Sequence, residues 1–78
     1  MNNIQLTDVT LHIDEALEKT KRNQIEEQLR ALQGVVSVHN PDEKPHLAIV
    51  QYNPNQTDSQ AILASVTNQD VHAKLIGL

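Results

Sequence analysis

The sequence contains no cysteine, and this absence excludes several kinds of chemistry at once. Disulfide bonds, thiolate metal centres and thiol catalysis all require a cysteine sulfur. The chain also lacks phenylalanine and tryptophan and has a single tyrosine. Hydrophobic residues make up 38% of the chain, so a core formed by these residues has to be almost entirely aliphatic.

Basic residues and long apolar runs are scarce as well. Ten acidic residues against six basic ones give a net charge of −4. Nucleic acids are bound by clustered Lys and Arg and by aromatic stacking platforms, so we expect no nucleic-acid partner. No apolar run approaches the length of about 18 residues that a membrane span needs, so we expect no membrane insertion. The first residues do not resemble a signal peptide, which predicts a cytoplasmic location.

The first part of the chain predicts a strand followed by a helix. Strict alternation over residues 9–13 predicts a strand with one buried face. An apolar stripe over residues 25–32 has helical spacing. Thr20 is a residue type that starts helices and is the preferred N-cap, with Asp14 as an alternative. Gly34 follows the stripe and is expected to end the helix in the left-handed conformation.

The rest of the chain predicts two strands, a helix and a final strand. Residues 35–39 and 46–52 are the predicted strands, with two prolines in the turn between them. The apolar run of the second one indicates a central strand that is covered on both faces. A capping-box spacing that begins at Thr57 predicts a helix to about residue 67. Alternation over residues 71–76 predicts the last strand.

The predicted order of elements is therefore strand, helix, strand, strand, helix, strand. Two βαβ units with right-handed crossovers give a four-stranded antiparallel sheet with both helices on one face. We predict an α+β fold of the ferredoxin-like βαββαβ type, formed as a single domain over residues 1–78.

Residues of one family pattern recur from Ile25 to the end of the chain, over roughly two-thirds of its length. They are Ile25-Glu26, Leu29, Leu32, Gly34-Val35, Ser37-Val38, Val50-Gln-Tyr-Asn-Pro54, Ile62-Leu63, Val66 and Ala73-Lys-Leu75. In their joint spacing they resemble the heavy-metal-associated (HMA) domain of copper chaperones and metal-transporting P-type ATPases.

The resemblance implies a scaffold whose metal-carrying members hold Cu(I) through Met-x-Cys-x-x-Cys in the first loop, where soft sulfur matches a soft ion. The family's spacing, counted back from Gly34, puts the two sulfur positions at Glu18 and Lys21. A carboxylate is a hard ligand and an ammonium group is no ligand. We therefore expect a degenerate metal loop without a Cu(I) thiolate site and without a resident cofactor.

The four histidines suggest a different metal site, since neutral imidazole binds Zn, Cu(II) or Ni. His12 and His72 fall on neighbouring strands of the predicted sheet and on its outer face, with Asp70 nearby. This predicts a metal site formed by His12, His72 and Asp70. The competing interpretation is ordinary histidines on a solvated sheet, because no His-x-His or His-x3-His spacing is present.

The face of the sheet that the helices leave open predicts a partner surface. It should carry His39 and Ile76, with either Leu47 and Ile49 or Ala48 and Val50. Exposed apolar strips are typical of interaction sites. The second strand is also a sheet edge that could accept another strand. The predicted partner surface is His39, Leu47, Ile49 and Ile76, and the predicted partner is another protein or a second copy of the chain.

No catalytic arrangement stands out. The only glycines are Gly34 and Gly77, so there is no glycine-rich loop to hold a phosphate. The serines have no recognisable His–Asp partners. We predict a non-enzymatic binding or interaction module with no catalytic residues. The alternative is a metal-binding or metal-transfer protein that uses His and carboxylate ligands, with a homodimer as one way to complete the site.

Overall fold

A computed structural model describes residues 5–76 of the chain and confirms the predicted order of elements. The elements are β1 (Thr7–Ile13), α1 (Lys19–Arg30), β2 (Val35–His39), β3 (Leu47–Tyr52), α2 (Ser59–Thr67) and β4 (Ala73–Ile76). The strands form one antiparallel sheet in the order β2-β3-β1-β4. The two helices pack against each other over one face, which is the ferredoxin-like fold.

The core lies between the helices and this face of the sheet. The alternation in β1 is confirmed, since Val9, Leu11 and Ile13 are at most 2% exposed. Tyr52 is the one aromatic side chain in the core. The buried hydrophobic residues are Val9, Leu11, Ile13, Ile25, Leu29, Val38, Ala48, Val50, Tyr52, Ile62, Val66 and Val71.

Strand β3 is central, as predicted, but it is covered on one face only. Ala48 and Val50 are buried under the helices, whereas Ile49 on the opposite face is 39% exposed. The interpretation that both faces are covered is therefore wrong. Both helices pack on the same side of the sheet. The apolar run of β3 is unbroken because the uncovered face of this strand also carries apolar residues. This settles which pair faces outward, because Leu47 shares the face of Ile49.

Helix α1 begins one residue before the predicted N-cap. Its N-cap is Glu18, whose extended backbone enters the helix without a side-chain capping bond. Thr20 therefore lies inside the first turn, and neither Thr20 nor Asp14 caps the helix. Gly34 has the expected left-handed φ of +97°, but the helix ends before it, with Arg30 as its last residue and Ala31 as a right-handed C-cap. The prediction that Gly34 ends the helix is therefore wrong, and its conformation serves the turn into β2 instead.

Helix α2 ends at Thr67 as predicted, but its cap differs by one residue. The N-cap is Asp58, whose Oδ1 accepts a hydrogen bond of 2.8 Å from the backbone N–H of Ala61. The predicted capping box at Thr57 is therefore wrong. Asp is the stronger N-cap of the two residue types, which explains why the helix begins after it.

The other strand boundaries differ from prediction for identifiable reasons. Strand β1 begins at Thr7, two residues early, because it pairs along the whole of β3. His46 precedes β3, since the N–H of Leu47 bonds the carbonyl of Lys44 in a turn. Residues 71–72 precede β4, where Asp70 reverses the chain with a φ of +63°. Within residues 5–76 no helix has both the length and the apolar character needed to cross a membrane.

Candidate functional site

Three connections meet at one end of the sheet, which we call the loop end. They are residues 14–18 after β1, residues 40–46 between β2 and β3, and residues 68–72 before β4. Antiparallel pairing brings them together, since His12 lies opposite Leu47, and Ile13 lies opposite Ala73. The start of α1 lies at the same end, so the loop end includes both positions where the resemblance places sulfur ligands.

Glu18 and Lys21 lie at the start of α1 and provide no site for a soft metal ion. Glu18 is exposed, and its backbone carbonyl accepts the N–H of Arg22 at 3.0 Å. Lys21 lies in the first turn of the helix. A carboxylate and an ammonium group replace two thiolates at these positions, so the donor set does not fit Cu(I). The chain has no cysteine that could supply sulfur from elsewhere.

An ion-pair cluster joins the start of α1 to the loop of residues 40–46. The ammonium of Lys19 donates to both carboxylate oxygens of Asp42, at 2.9 and 3.0 Å. Arg22 donates through Nη1 to Asp42 at 3.3 Å and to the side-chain oxygen of Asn40 at 3.0 Å. The hydrogen bond from Lys19 is the main reason why the pKa of Asp42 lies below its ordinary value.

A second ion pair joins the loop of residues 14–18 to the segment before β4. Nδ1 of His72 lies 2.6 Å from Oε2 of Glu15. The backbone N–H of His72 donates to Oε1 of the same carboxylate at 2.9 Å. The side-chain hydrogen bond raises the pKa of His72 and lowers the pKa of Glu15. Both groups therefore favour their charged forms when they are paired.

A third contact joins β1 to the residue just before β3. The rings of His12 and His46 are nearly parallel, with centroids 5.7 Å apart and an angle of 11° between their planes. Nδ1 of His12 lies 3.2 Å from Oδ1 of Asp14. Nδ1 of His46 lies 2.7 Å from the carbonyl oxygen of Ile13. Sequence reasoning did not pair these histidines. The signal was present in the position of His46, which follows a turn that returns the chain beside the end of β1.

The predicted metal ligands His12, His72 and Asp70 are placed in two different surroundings. His12 lies opposite Lys74 in the sheet and contacts Asp14. His72 and Asp70 line one open cleft. Across residues 5–76, no three His, Cys, Asp or Glu side chains are grouped so that they could hold a metal ion together. The set stays a prediction for metal titration to test.

The residues of the predicted partner surface lie together on the open face. His39, Ile49, Thr10 and Ile76 are successive cross-strand neighbours across β2, β3, β1 and β4, and we call these four residues the central row. Leu47 lies beside this row, two residues from Ile49 on the same strand. The predicted surface is therefore continuous, with the exposed Ile49 at an inner position of the row.

The two edges of the sheet are less suited to strand addition. Strand β2 is an edge, as predicted, but its pairing shifts register between Val35 and Ser37. The intervening Val36 is 55% exposed. Bulges of this kind interrupt an edge and hinder the addition of another strand. Strand β4, the other edge, has four residues within the part of the chain that the structure describes.

No protein-family model and no curated protein matches the sequence. Solved structures match the fold over nearly the whole chain. The N-terminal domain of a potential copper-translocating P-type ATPase from Bacillus subtilis, in its Cu(I)-loaded state, has a TM-score of 0.84 and 20% identity, covering 94% of this chain and 90% of that one. Oxidized MerP from Ralstonia metallidurans CH34 has a TM-score of 0.83 and 15% identity, covering 94% and 100%.

The yeast copper transporter domain Ccc2a gives a TM-score of 0.78 at 22% identity, covering 88% of this chain and 93% of that one. The chain is thus structurally similar to HMA domains of copper-binding proteins. At these identities the similarity concerns the fold. The Cys-x-x-Cys pair of the metal-carrying members is absent, because the chain has no cysteine.

Proposed function

We propose that this chain is a non-enzymatic interaction module that keeps an HMA-like scaffold without a Cu(I) site and binds a second copy of itself through the open face of the sheet. The central row carries the proposal, since Ile49 lies at its interior and no helix covers it. Burying an exposed apolar strip against a partner removes it from water, which is the main favourable term in association.

The charges beside the central row favour a second copy as the occupant. On one side lie Ser37, Gln51 and Asp8, and of these described residues only Asp8 is charged. On the other side lie Leu47, His12 and Lys74. Consider a two-fold axis that runs parallel to the central row, between the two copies. The row of Ser37, Gln51 and Asp8 in one copy would then face the row of Leu47, His12 and Lys74 in the other. The acidic row would then face the basic row, which favours the pairing.

The same geometry favours the face over the edges. The same two-fold axis places Ile49 near Ile49 of the second copy at the centre of the interface, as isologous contacts require. The bulge in β2 disfavours pairing through that edge. We also propose a cytoplasmic location for this module.

The second candidate function is metal binding or transfer by His and carboxylate ligands. The observation in its favour is the cleft shared by His72 and Asp70, with Asp14 at its wall. Elemental analysis of the purified protein is a direct test. Metal that is retained in proportion to the protein and is lost in a folded His72→Asn variant would favour this candidate over the interaction module.

Light scattering over a concentration series tests the proposed dimer. Wild type should shift from monomer to dimer as concentration rises, and Ile49→Lys and Ile49→Asp should remain monomeric. Val36→Lys is the matched control, because Val36 is also an exposed aliphatic residue but lies at the bulge and outside the central row. Circular dichroism should show that all variants are folded.

Two results would overturn the proposal. A wild-type chain that remains monomeric over the whole concentration series has no second copy on its open face. A dimer that persists in the folded Ile49→Lys and Ile49→Asp variants uses another surface.

A further inference from the structure

We infer that His12 and His46 form a two-histidine binding site for a divalent transition-metal ion, with the Nε2 atoms of both rings as ligands. This site is distinct from the positions of Glu18 and Lys21 and from the predicted set of His12, His72 and Asp70. It also does not depend on the proposed dimer. The ring nitrogens that already make hydrogen bonds indicate this site.

The hydrogen bonds determine where the proton lies on each neutral ring. Nδ1 of His46 is 2.7 Å from the carbonyl oxygen of Ile13, which can only accept, so this Nδ1 carries the hydrogen. Nδ1 of His12 is 3.2 Å from the carboxylate of Asp14, and the same reasoning applies. In each neutral ring the lone pair is then on Nε2. Both histidines are therefore in the tautomer that binds a metal through Nε2.

This arrangement is the one that metal-ligating histidines use. Such a histidine donates its other ring N–H to a carboxylate or a backbone carbonyl, which fixes the tautomer and orients the ring. His12 has the carboxylate partner and His46 has the carbonyl partner. The outer contact of His46 is thus already formed, and His12 has a carboxylate beside its Nδ1. Zn, Cu(II) and Ni are the ions that imidazole suits.

The distance between the rings suits a shared ion once one ring turns. Zinc–nitrogen bonds are about 2.0 to 2.1 Å long, so two imidazoles on one ion place their centroids roughly 5 to 6 Å apart. The centroids of His12 and His46 are 5.7 Å apart. Because nearly parallel planes do not converge on one point, one ring has to turn about its Cβ–Cγ bond. His12 is the freer ring, since its contact is the longer one and Asp14 is exposed.

The surroundings limit how tightly the site can bind. Lys74 lies opposite His12 in the sheet, and its positive charge disfavours a cation. Within the described part of the chain no third His, Cys, Asp or Glu completes a ligand group, so water would fill the other positions. We expect one ion per chain and weak, micromolar binding.

Zinc titration of the apo protein tests the site, with two-bond proton–nitrogen correlation spectra of the imidazole rings as the readout. The Nε2 signals of His12 and His46 should shift together and saturate at one ion per chain, while both Nδ1 atoms stay protonated. His12→Asn and His46→Asn each provide an amide N–H in place of Nδ1 but no Nε2. Each should weaken zinc binding by at least about tenfold.

The controls use the remaining histidines and the outer carboxylate. His39→Asn and His72→Asn should bind zinc as wild type does. Asp14→Asn should weaken binding by roughly tenfold, the lower end of the effect of losing an outer-shell partner. The titration is run at a concentration at which light scattering finds a monomer, because His12 lies in a row that the proposed dimer would cover. The site is thereby tested separately from dimerisation.

Three results would overturn the inference. The first is the absence of saturable shifts in the wild-type spectra. The second is unchanged zinc affinity in a folded His46→Asn variant. The third is a titration in which the Nε2 signal of His72, instead of that of His46, moves together with that of His12.

Discussion

The two ends of the molecule hold their helices in different ways. Helix α2 begins at the end opposite the loop end, where its own N-cap Asp58 accepts the N–H of Ala61. Helix α1 begins at the loop end, where Glu18 makes no side-chain cap. The start of α1 is held by Lys19 and by Arg22, which reach Asp42 in another loop. One helix start is stabilised locally, and the other is stabilised by contacts between distant parts of the chain.

The end opposite the loop end is formed by residues 31–34 and 53–58, and we call it the turn end. Its contacts are short and mostly within the backbone. The N–H of Asn53 donates to the carbonyl of Gly34 at 2.7 Å, and the N–H of Gln56 donates to the carbonyl of Asn53 at 3.0 Å. The loop end is joined instead by charged side chains. Changes in backbone geometry should therefore matter most at the turn end, whereas pH and salt should matter most at the loop end.

The largest effect is expected from Gly34→Ala at the turn end. Gly34 has a φ of +97°, and an added Cβ would lie 2.9 Å from Cβ of Gln56 and 3.0 Å from Cγ2 of Thr57. Strained backbone and close contact together should lower the free energy of unfolding by about 2 to 3 kcal/mol. Urea denaturation measures this loss. Gln33→Ala, at the exposed neighbouring position, is the control and should change stability little. A folded Gly34→Ala variant as stable as wild type would contradict the prediction.

The second effect compares the two helix starts directly. Asp58→Ala removes a capping hydrogen bond and should cost about 1 kcal/mol. Glu18→Ala is the matched variant, and its loss should be clearly smaller because Glu18 makes no capping bond. The same denaturation experiment measures both. Equal losses would mean that the two helix starts are stabilised alike, which would contradict the comparison.

The fold could be predicted from the sequence wherever the signal is local. Alternation along β1 assigned its buried face, and the left-handed turn before β2 lies at Gly34 because a glycine takes that φ without strain. The start of α1 could not be predicted by such rules, since its partner Asp42 is 20 residues or more along the chain. The same applies to the segment before β4, where the backbone N–H of His72 donates to Glu15, which is 57 residues away in the sequence.

The candidate site was predicted in part for the same reason. The absence of sulfur ligands at positions 18 and 21 is evident from the sequence, because these residues are Glu18 and Lys21. The residues of the open face could be predicted from the alternation of side chains along each strand, except for the choice between the two sets of β3 residues. The burial of Ala48 decided that choice. The contact between His12 and His46 depends on how the turn before β3 places a side chain. No spacing rule in the sequence determines that placement.

The third effect concerns pH and the pair formed by Glu15 and His72. The pKa of Glu15 lies below its ordinary 4.5, so its contribution to stability is lost as pH falls through the lowered value. The pKa of His72 lies above its ordinary 6.5, so its contribution is complete below 6.5 and is lost as pH rises through the raised value. The pair should therefore stabilise the fold most between about pH 4.5 and 6.5.

Glu15→Gln tests this window. The difference in unfolding free energy between wild type and the variant should peak inside it and decrease on both sides. Glu27→Gln removes another acidic charge, from the exposed surface of α1, and should show no such peak. The measurements need a chelator, so that metal binding does not contribute. A difference that is flat with pH would contradict the assigned pair.

The smallest effect is expected from Asp42→Asn, which removes one charge from the loop end. Lys19 and Asp42 have side chains that are 63% and 65% exposed, and ion pairs at such positions stabilise a fold only slightly. The screening length falls from about 10 Å at 0.1 M salt to about 3 Å at 1 M. The loss caused by Asp42→Asn should therefore decrease as salt is added, while the loss caused by Gly34→Ala should not. If both losses respond to salt alike, the two ends do not differ in the way that their contacts indicate.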